Sequence, residues 1–500
     1  MRLGIDLGTT RTVVAAVHDG RHPIAAFDVD GAYQEYVPGL AALVDGELIV
    51  GWAAGKAIAE GTATHAIRSI KRVAASLAPD APVPGLPGVT ALALLTTFLA
   101  ALRTSLLESS NLAITEPLEV MLSVPANAAS RQRWLTIEAF RRAGFQPIGL
   151  LNEPTAAAIE FAHRHLATLG PKSPKRHVVV YDLGGGTFDT SAVSLEGRRF
   201  ELIATEGLTR AGGDDFDELI LRMALETAGL PWVEGDAAGL ERAREAKEGL
   251  RPTSKKLLVD LGDAGSVQLD TAALYARSQP LIDSTLAMTE RLLARVAQAG
   301  DVTARLDDPR ALGGIYLVGG AAAFPAVARA LRATFGKKLQ LAPQPFAATA
   351  VGLALAADPD ANVLVREATT RHIGVWREAQ AGEDKIFDSL IAKDTAAGTI
   401  QRRYRPTHTI GHLRFVECGA LDAAGQPVQD LVPIGDVYFP YAPALADRGD
   451  LAGLPVERQP RAQADEIAET YTYGADGTIS VEIANVSRGY ARTYELGALR

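Results

Sequence analysis

The sequence has a single cysteine, Cys418, among 500 residues. One thiol cannot form an intramolecular disulfide, and it supplies too little sulfur for a cysteine-based structural zinc site. Within its run "FVECG", Cys418 is more simply a buried strand residue than a nucleophile. A chain without disulfides suits a reducing compartment, so we expect a cytoplasmic protein.

Positive charge is also scarce, because 50 Lys and Arg against 59 Asp and Glu give a formal net charge of −9. Nucleic acids and anionic membranes are phosphate-rich and select clustered Lys and Arg. The basic stretch "QRRYR" at residues 401–405 is most simply a solvated strand or loop edge, with a preference for acidic partners as the alternative. The nine histidines show no metal-ligand spacing. The sequence therefore predicts neither nucleic acid nor a membrane as the main partner.

A targeting leader and a long apolar run are missing from the sequence. Met1 leads directly into the strand-like run "RLGIDLG", with no basic segment followed by an apolar stretch and a cleavage site. The longest apolar segment, residues 91–102, is interrupted by Thr96 and Thr97. A transmembrane helix needs about 20 apolar residues. We therefore expect no membrane-spanning segment and a cytoplasmic location.

Hydrophobic residues make up 47% of the chain, enough to form large cores in roughly three or four domain-sized units. Short β-rich runs such as "EVMLSV", "HVVVY" and "IYLVGG" alternate with helical patterns up to about Ala357, which indicates layered α/β architecture. Beyond this point, runs such as "HLRFVECG" and "TISVEI" favour a β-sandwich of about 130 residues. The predicted boundaries are 1–361 for the α/β domain, 362–368 for a linker and 369–500 for the sandwich.

Two similar corners, "IDLGTT" at residues 5–10 and "VYDLGGGTFDT" at residues 180–190, carry the chemistry. Each strand ends in Asp-Leu-Gly and turns at once, which presents backbone N–H groups, threonine hydroxyls and a carboxylate together. Glycine is needed because a side chain would keep the backbone away from a phosphate. The predicted phosphate contacts are Gly8, Thr9, Thr10, Gly184, Gly185, Gly186 and Thr187. The carboxylates predicted to face a hydrated Mg²⁺ are Asp6, Asp182 and Asp189.

Either corner alone is also compatible with an ordinary β-hairpin. The presence of two favours another interpretation, because a duplicated strand-turn-strand unit makes two facing lobes. Each lobe would hold one side of a nucleotide's phosphate tail. The repeated corner therefore predicts a two-lobed nucleotide-binding domain.

The sequence resembles the seventy-kilodalton heat-shock protein family, the DnaK-type chaperones, over nearly its whole length. The motifs, in the family's order and approximate spacing, are "GIDLGTT", "SIKRVA", "VPA", "NEPTAAA", "DLGGGTFD", "GGDDFD" and "LVGGAAAFP". The resemblance implies an α/β, actin-like two-lobed ATPase domain with duplicated ribonuclease-H-like halves, followed by a β-sandwich substrate-binding-like domain. It also implies ATP or ADP and Mg²⁺ as cofactors.

The resemblance further implies a catalytic role for Lys71, Glu153, Asp182 and Thr187, with Asp6 beside them. Lys71 would stabilise charge on the γ-phosphoryl group, and Glu153 would orient the attacking water or help remove its proton. Without the family pattern, Lys71 is compatible with a solvated helix charge. Glu153 is likewise compatible with an acid favoured at a helix N-terminus.

Further motifs imply contacts to the rest of the nucleotide. Gly212 and Gly213 in "AGGDDFD" permit a close backbone approach before a helix, whose N-terminus favours phosphate. The alternative is a plain N-cap by Asp214 or Asp215. The remaining implied nucleotide-binding residues are Lys247, on a predicted helix, and Gly319 and Gly320, in the corner "LVGG" near the adenosine.

The nucleoside end departs from the family pattern. Ala323 stands where an arginine stacks on adenine in the family, so a cation–π contact is missing. Arg244 stands where the family has a glutamate that contacts the nucleoside. Arg251 stands where the family has a serine, and Phe346 stands where it has an acid. The phosphate motifs stay intact, so these changes predict Mg-ATP binding that is weaker than the family norm.

The linker, one residue of the ATPase domain and the C-terminal end also differ from the family pattern. In "NVLVREA", residues 362–368, Arg366 interrupts a run that the family keeps apolar for docking on the ATPase domain, which indicates weaker coupling or a solvated linker. Gly149 replaces an arginine used for J-domain cochaperones, so that partnership and a nucleotide-exchange factor stay open. "DSLIAKDTAAGT", residues 388–399, resembles the substrate-domain signature. The sequence ends about where the family's sandwich ends, so we expect no helical lid and fast, weak peptide exchange.

Two functions are compatible with these features. The leading hypothesis is an ATP-dependent chaperone-like protein that hydrolyses ATP slowly and lets the nucleotide state control binding of unfolded or extended polypeptide. The alternative is a nucleotide-sensing scaffold that binds ATP with little turnover and holds a specific partner. The catalytic motifs favour the first, and the altered nucleoside end favours the second. The β-rich C-terminal domain argues against a sugar kinase or an actin-like filament.

Overall fold

The computed structural model describes residues 1–75, 77–165, 173–196, 198–208, 210–298, 311–366, 369–379, 384–393, 395, 397–460, 464–474 and 477–498. The chain forms two compact units. The first comprises Met1–Ala126 and Ala139–Arg366, and the second comprises Asn127–Glu138 and Glu367–Arg500. These units reflect internal packing, so the domain boundaries at 361 and 369 stay predictions.

Strands and helices alternate along the first unit, as the sequence predicts. Its strands are β1 Arg2–Leu7, β2 Arg11–Ala16, β3 Phe27–Val29, β4 Ala32–Gln34, β5 Val37–Pro38, β6 Ala41–Val44, β7 Glu47–Val50, β8 His65–Ile67, β9 Glu119–Val124, β10 Gln146–Asn152, β11 His177–Leu183, β12 Phe188–Glu196, β13 Arg199–Leu208, β14 Lys256–Asp260, β15 Ser266–Asp270, β16 Leu312–Val318, β17 Leu339–Leu341 and β18 Leu364–Arg366. The helices of the chain are α1 Gly51–Ala59, α2 Ile70–Ala75, α3 Ala91–Glu108, α4 Ser130–Arg142, α5 Glu153–His165, α6 Gly213–Ala228, α7 Ala237–Glu248, α8 Thr271–Gln298, α9 Pro325–Phe335 and α10 Ala348–Ala357.

Two sheets of the first unit share one strand arrangement. The first has the order β10-β9-β1-β2-β5, and the second has the order β17-β16-β11-β12-β13-β18. In each, an antiparallel hairpin (β1–β2 or β11–β12) has a parallel neighbour (β9 or β16), followed by a second parallel strand (β10 or β17). The repeated topology confirms the predicted α/β fold class with duplicated halves. We call residues 1–126 and 139–165 the first half, and residues 173–366 the second half.

Helix α10 lies against both β1 and α5, and two glycines permit this approach. A Cβ atom on Gly352 would lie 1.8 Å from the carbonyl oxygen of Ala156, in α5. A Cβ atom on Gly4 would lie 2.2 Å from the amide nitrogen of Ala354, in α10. Backbones come this close only where no side chain intervenes. The sequence run "HVVVY" in β11 is fully buried, as expected for a strand covered on both faces.

Most helix boundaries agree with the sequence signals. Asp236 caps α7 by accepting a hydrogen bond from the Gly239 N–H at 2.8 Å, and α6 ends at Gly229, whose φ of 71° is the left-handed conformation typical of a C-terminal glycine. Helix α8 differs, because the sequence predicts a start at Pro280 whereas the helix begins at Thr271 and continues through the proline. Proline favours the first helical turn, which explains the misplaced start.

Helix α3 extends six residues beyond the apolar run 91–102 that the sequence singles out, to Glu108. By length and composition alone it is the one described helix that could cross a membrane. Its Thr90 N-cap accepts a hydrogen bond from the Ala93 N–H at 3.3 Å. One side of the helix packs into the unit, through Ala91, Leu92, Leu94, Leu95, Phe98, Leu99, Leu102 and Leu106. A core helix of this kind passes the same compositional test.

The predicted linker forms a short edge strand in the first unit. Strand β18 pairs in parallel with β13, with Leu364 opposite Arg199 and Val365 opposite Phe200. The Leu364 side chain is 61% exposed, so the backbone is paired while this side chain faces solvent. Glu367, the acid that the sequence places after the linker's apolar run, lies outside the described residues.

The second unit contains two four-stranded antiparallel sheets, which confirms the predicted β-rich C-terminal region. Its strands are β19 His372–Ala379, β20 Asp384–Ile391, β21 Gly398–Tyr404, β22 Ile410–Cys418, β23 Ala420–Leu421, β24 Pro427–Gln429, β25 Val432–Pro440, β26 Ile467–Tyr473, β27 Ile479–Asn485 and β28 Tyr490–Glu495. The sheets have the orders β20-β19-β22-β25 and β21-β26-β27-β28. Alternate residues of both sheets, such as Val375, Phe415, Val481 and Ile483, form one core. Cys418 is buried in β22.

Residues Asn127–Glu138, which include the start of α4, pack within the second unit. The buried Glu417 carboxylate accepts hydrogen bonds from the Ser130 N–H at 3.2 Å and the Ser130 hydroxyl at 3.1 Å. Arg131 donates to the Ile434 carbonyl oxygen at 3.0 Å. A carboxylate at a helix N-terminus is favoured by the helix dipole. Glu417 thus caps α4 from a distant part of the sequence.

Candidate functional site

The two glycine corners lie directly against each other in the first unit. A Cβ atom on Gly185 would lie 2.3 Å from the Thr10 side chain, and one on Gly186 would lie 2.8 Å from Cγ2 of Thr9. A Cβ atom on Gly8 would lie 2.3 Å from a backbone carbonyl oxygen of its own turn. The glycines therefore leave a cradle lined by backbone, which is the arrangement that phosphate oxygens require. The sequence-predicted residues of both corners are brought together.

The second corner holds two acids across its hairpin. The Gly184 N–H donates to the Thr187 carbonyl oxygen at 3.1 Å and closes the turn. Asp182 and Asp189 are direct partners in the β11–β12 register. A Cβ atom on Gly319, which has a φ of 89°, would lie 2.5 Å from Oδ1 of Asp182. The third glycine corner, which contains Gly319, therefore packs directly against Asp182 because Gly319 has no side chain.

Lys71 and Glu153 form a buried ion pair between α2 and the first turn of α5. The distance from Nζ of Lys71 to Oε1 of Glu153 is 2.5 Å, and the side chains are 9% and 14% exposed. Burial rules out a solvated helix charge for Lys71. The carboxylates of Glu153 and Asp6 outweigh the effect of burial and raise the pKa of Lys71, so the ammonium stays charged.

Carboxylates outnumber cations around Lys71. Burial, reinforced by the charge of Glu153, raises the pKa of Asp6 to about 7 and that of Asp189 to about 7. Burial and the neighbouring carboxylates also raise the pKa of Asp182 well above its usual value. Four acids thus face one ammonium group, which leaves the site short of positive charge.

This donor set fits a hydrated magnesium ion. Among the described residues, no three His, Cys, Asp or Glu side chains are grouped closely enough to hold a metal ion by themselves. Mg²⁺ normally keeps several waters and binds through one or two carboxylates together with phosphate oxygens. Asp6, Asp182 and Asp189 would hold such an ion chiefly through its waters. The excess of carboxylates would be neutralised by it.

The "GGDDFD" motif contacts the second corner. The Gly213 N–H donates to the Gly184 carbonyl oxygen at 3.0 Å. Lys247 donates to the Gly213 carbonyl oxygen at 2.7 Å and pairs with Asp217 at 2.6 Å. The alternative of an aspartate N-cap is wrong, because Gly212 is the N-cap of α6 and Asp215 at N3 accepts its N–H at 2.8 Å. Gly212, Gly213 and Lys247 therefore border the phosphate cradle.

Comparison with known proteins agrees with this geometry. The sequence model of the family described as "Hsp70 protein" matches residues 92–373. A protein named "Chaperone protein HscA homolog" from Laribacter hongkongensis is 34% identical, over 98% of this chain and 77% of the relative. Proteins of the same name from Colwellia psychrerythraea and Chromobacterium violaceum are 28% and 33% identical, over 99% and 72% of this chain and 77% and 58% of those relatives. The chain belongs to the Hsp70 family.

This Hsp70-family chain also carries a set of ion pairs between its halves that the sequence did not reveal. Arg68 lies 3.1 Å from Asp217 and 3.2 Å from Glu241. The hydroxyl of Ser69 donates to Asp214 at 2.6 Å, and Ser69 has a φ of 60°, rare for a residue with a side chain. The partners are about 150 residues apart in sequence or more, and no local pattern links them. We call these contacts the Arg68 cluster.

The residues expected at the nucleoside end do not provide the groups that the family pattern implies. Ala323 is exposed and Phe346 is half-buried, and neither offers a charge. Arg244 pairs with Glu241 and, at 3.0 Å, with Glu248 of the same helix. The loss of nucleoside contacts at these positions stays a prediction. The sequence did not reveal Arg11, which reaches the same helix from the first corner.

Proposed function

We propose that this chain is an ATP-dependent chaperone-like protein that hydrolyses ATP slowly. The observation that carries the proposal is the buried Lys71–Glu153 pair, at 2.5 Å, beside two glycine corners in contact. Proteins named chaperones that share most of the chain support the same function. In this proposal, ATP or ADP in the first unit controls how the second unit binds unfolded or extended polypeptide.

The side chains of the site suit phosphoryl transfer to water. The backbone of both corners would bind phosphate oxygens, and the Lys71 ammonium would stabilise charge on the transferred group. Glu153, held by Lys71, would orient the water and accept its proton. Thr187 lies in the turn between β11 and β12, and its hydroxyl would contribute to the cradle. Magnesium, when bound, supplies positive charge for the phosphate oxygens.

A second candidate function rests on the nucleoside end. Ala323 and Arg244 replace groups that contact the nucleoside in the family, which favours a nucleotide-sensing scaffold with little turnover. Such a protein would bind ATP through its phosphates and hold one specific protein partner. Measured turnover distinguishes the two candidates.

Polypeptide clients and cochaperones belong to the same proposal. The relatives are named as chaperones, and their names identify no client. We propose an extended polypeptide as the client of the second unit, and a cytoplasmic location. A J-domain cochaperone and a nucleotide-exchange factor are candidate partners. The family binds J-domain cochaperones through an arginine, and this chain has Gly149 at that position. Neither nucleic acid nor a membrane is part of the proposal.

Single-turnover hydrolysis of Mg-ATP by the purified chain tests the proposal. Wild-type protein should hydrolyse ATP slowly, and Lys71→Ala should reduce the rate by about 100-fold or more, the effect of losing one charge-stabilising group. Lys255→Ala, which removes an exposed lysine, is the matched control and should retain the wild-type rate. Tight binding with no turnover in wild type would favour the scaffold. Failure to bind any nucleotide would refute both candidates.

A further inference from the structure

Arg11 links the first glycine corner to a helix of the second half. It is the first residue of β2, directly after Thr10. Its Nη2 lies 2.5 Å from Oε1 of Glu248, the last residue of α7. Its guanidinium carbon lies 4.3 Å from the ring centroid of Tyr36, within cation–π range. The Arg11 side chain is 20% exposed.

The position of this guanidinium relates it to the nucleotide site. The neighbouring Thr10 is packed against the position that a Cβ of Gly185 would take, in the phosphate cradle. Nη1 of Arg11 lies 4.0 Å from the place that a Cβ atom of Gly320 would take, and Gly320 carries no side chain. A nucleotide with its phosphates in the cradle and its nucleoside beside Gly320 would therefore meet the Arg11 guanidinium.

We propose that Arg11 stacks on the nucleobase and so supplies the cationic plane that Ala323 does not. This inference rests on the proposed function, because it concerns the same nucleotide site. A planar guanidinium can place one face on Tyr36 and offer the other to an aromatic base. Such stacking strengthens binding of a ligand that carries a base, such as ADP, and does not affect binding of pyrophosphate, which has no base.

Glu248 is the positioning residue for Arg11. Arg244 also contacts Glu248, at 3.0 Å, so this carboxylate is shared by two guanidinium groups. The shared pairing limits the orientations open to Arg11 and keeps its plane near Tyr36. An effect of Glu248 on nucleotide binding would therefore act through Arg11.

Calorimetric titration with ADP and with pyrophosphate, both with Mg²⁺, tests the inference. Arg11→Ala should weaken ADP binding by about 3- to 30-fold, the range for one cation–π contact, while pyrophosphate binding changes little. Arg11→Lys keeps the charge but lacks the plane, so it should restore only a small part of the ADP affinity. Arg21→Ala, an exposed arginine of the same half, is the control and should bind ADP like wild type.

The outcomes separate this inference from the proposed function. Equal ADP affinity for wild type and Arg11→Ala, or full rescue by Arg11→Lys, would overturn the stacking role and leave the proposed function standing. Tighter ADP binding by Arg11→Ala would show that the Arg11–Glu248 pair obstructs the site. Wild-type protein that binds neither ADP nor pyrophosphate would refute the proposed function together with the inference. Circular dichroism of each variant guards against loss of folding.

Discussion

At the scale of single residues, Gly185 has no room for a side chain in the site. A methyl group there would meet the Thr10 side chain at 2.3 Å, from the opposite half of the unit. We predict that Gly185→Ala destabilises the first unit by about 1–3 kcal/mol, the usual effect of overpacking, and weakens nucleotide binding by forcing the corners apart. Urea unfolding and ADP titration of the variant measure both effects.

Gly449→Ala provides the comparison for that variant. A Cβ atom at Gly449 has open space around it and no positive φ, so this substitution should leave stability within about 0.5 kcal/mol. If Gly185→Ala unfolds at the wild-type urea concentration, the corners are not in contact in solution.

Some residues of the site could be predicted from the sequence, and others could not. Gly8, Gly185 and Lys71 lie in short motifs whose chemistry is local, so their positions in the site could be anticipated. Arg11 and Arg68 act through partners more than 140 residues away, and those pairings follow only from the assembled fold. The distances place the predicted groups together, and their catalytic roles stay predictions.

At the scale of elements, the cap of helix α4 gives a pH-dependent stability. Burial raises the pKa of the Glu417 carboxyl above its usual value, although Arg371 and Ser130 oppose the shift. A folded pKa above the unfolded one means that the native state binds more protons between the two values. The contribution of Glu417 to stability is therefore complete below the unfolded pKa of about 4.3 and is lost as pH rises through the folded pKa.

Glu417→Gln removes this titration, and we predict that it changes the pH profile of the second unit. The stability of wild type relative to the variant should fall as pH rises from about 4.3 through the folded pKa. Urea unfolding of both proteins at several pH values measures this difference. An unchanged difference across this range would contradict the raised pKa.

The elements themselves were mostly predictable, and the exceptions have physical causes. Runs such as "HVVVY" and "EVMLSV" are strands because they lie in covered sheets. Pro280 misled the prediction of α8, since its ring is accommodated within a helix that packs on the second sheet. The grouping of Asn127–Glu138 with the second unit depends on tertiary contacts such as Ser130 with Glu417, for which the sequence has no local signal.

At the scale of the whole molecule, the Arg68 cluster joins the halves of the first unit. Arg68 is 11% exposed and Asp217 only 1% exposed, so removing the guanidinium leaves buried carboxylates with less compensation. We predict that Arg68→Ala destabilises the first unit by about 3–5 kcal/mol and leaves the second unit unaffected. Hydrogen exchange measured by mass spectrometry reports the two units separately.

Two comparisons sharpen this prediction. Arg277→Ala breaks an exposed ion pair with Glu226 and should change stability by at most about 1 kcal/mol. ADP at 100 times its dissociation constant should return about 2.7 kcal/mol to Arg68→Ala, since the ligand binds only the folded first unit. If Arg68→Ala lowers protection equally in both units, the two are not independent in stability.

The pairing of strand β18 bears on the equilibrium between two conformations, one with this strand attached to the sheet and one with it detached. It is three residues long and, among the strands that the structure describes, it pairs only with β13. Each backbone hydrogen bond contributes about 1 kcal/mol net, whereas ordering each residue costs about 1–2 kcal/mol. The hydrogen bonds alone therefore do not offset the ordering of three residues, and packing of Val365 against the core must supply the remainder, so the balance between the attached and detached states of the strand depends on that side chain. In that balance, a shift of about 1.4 kcal/mol at the sheet edge changes their ratio tenfold.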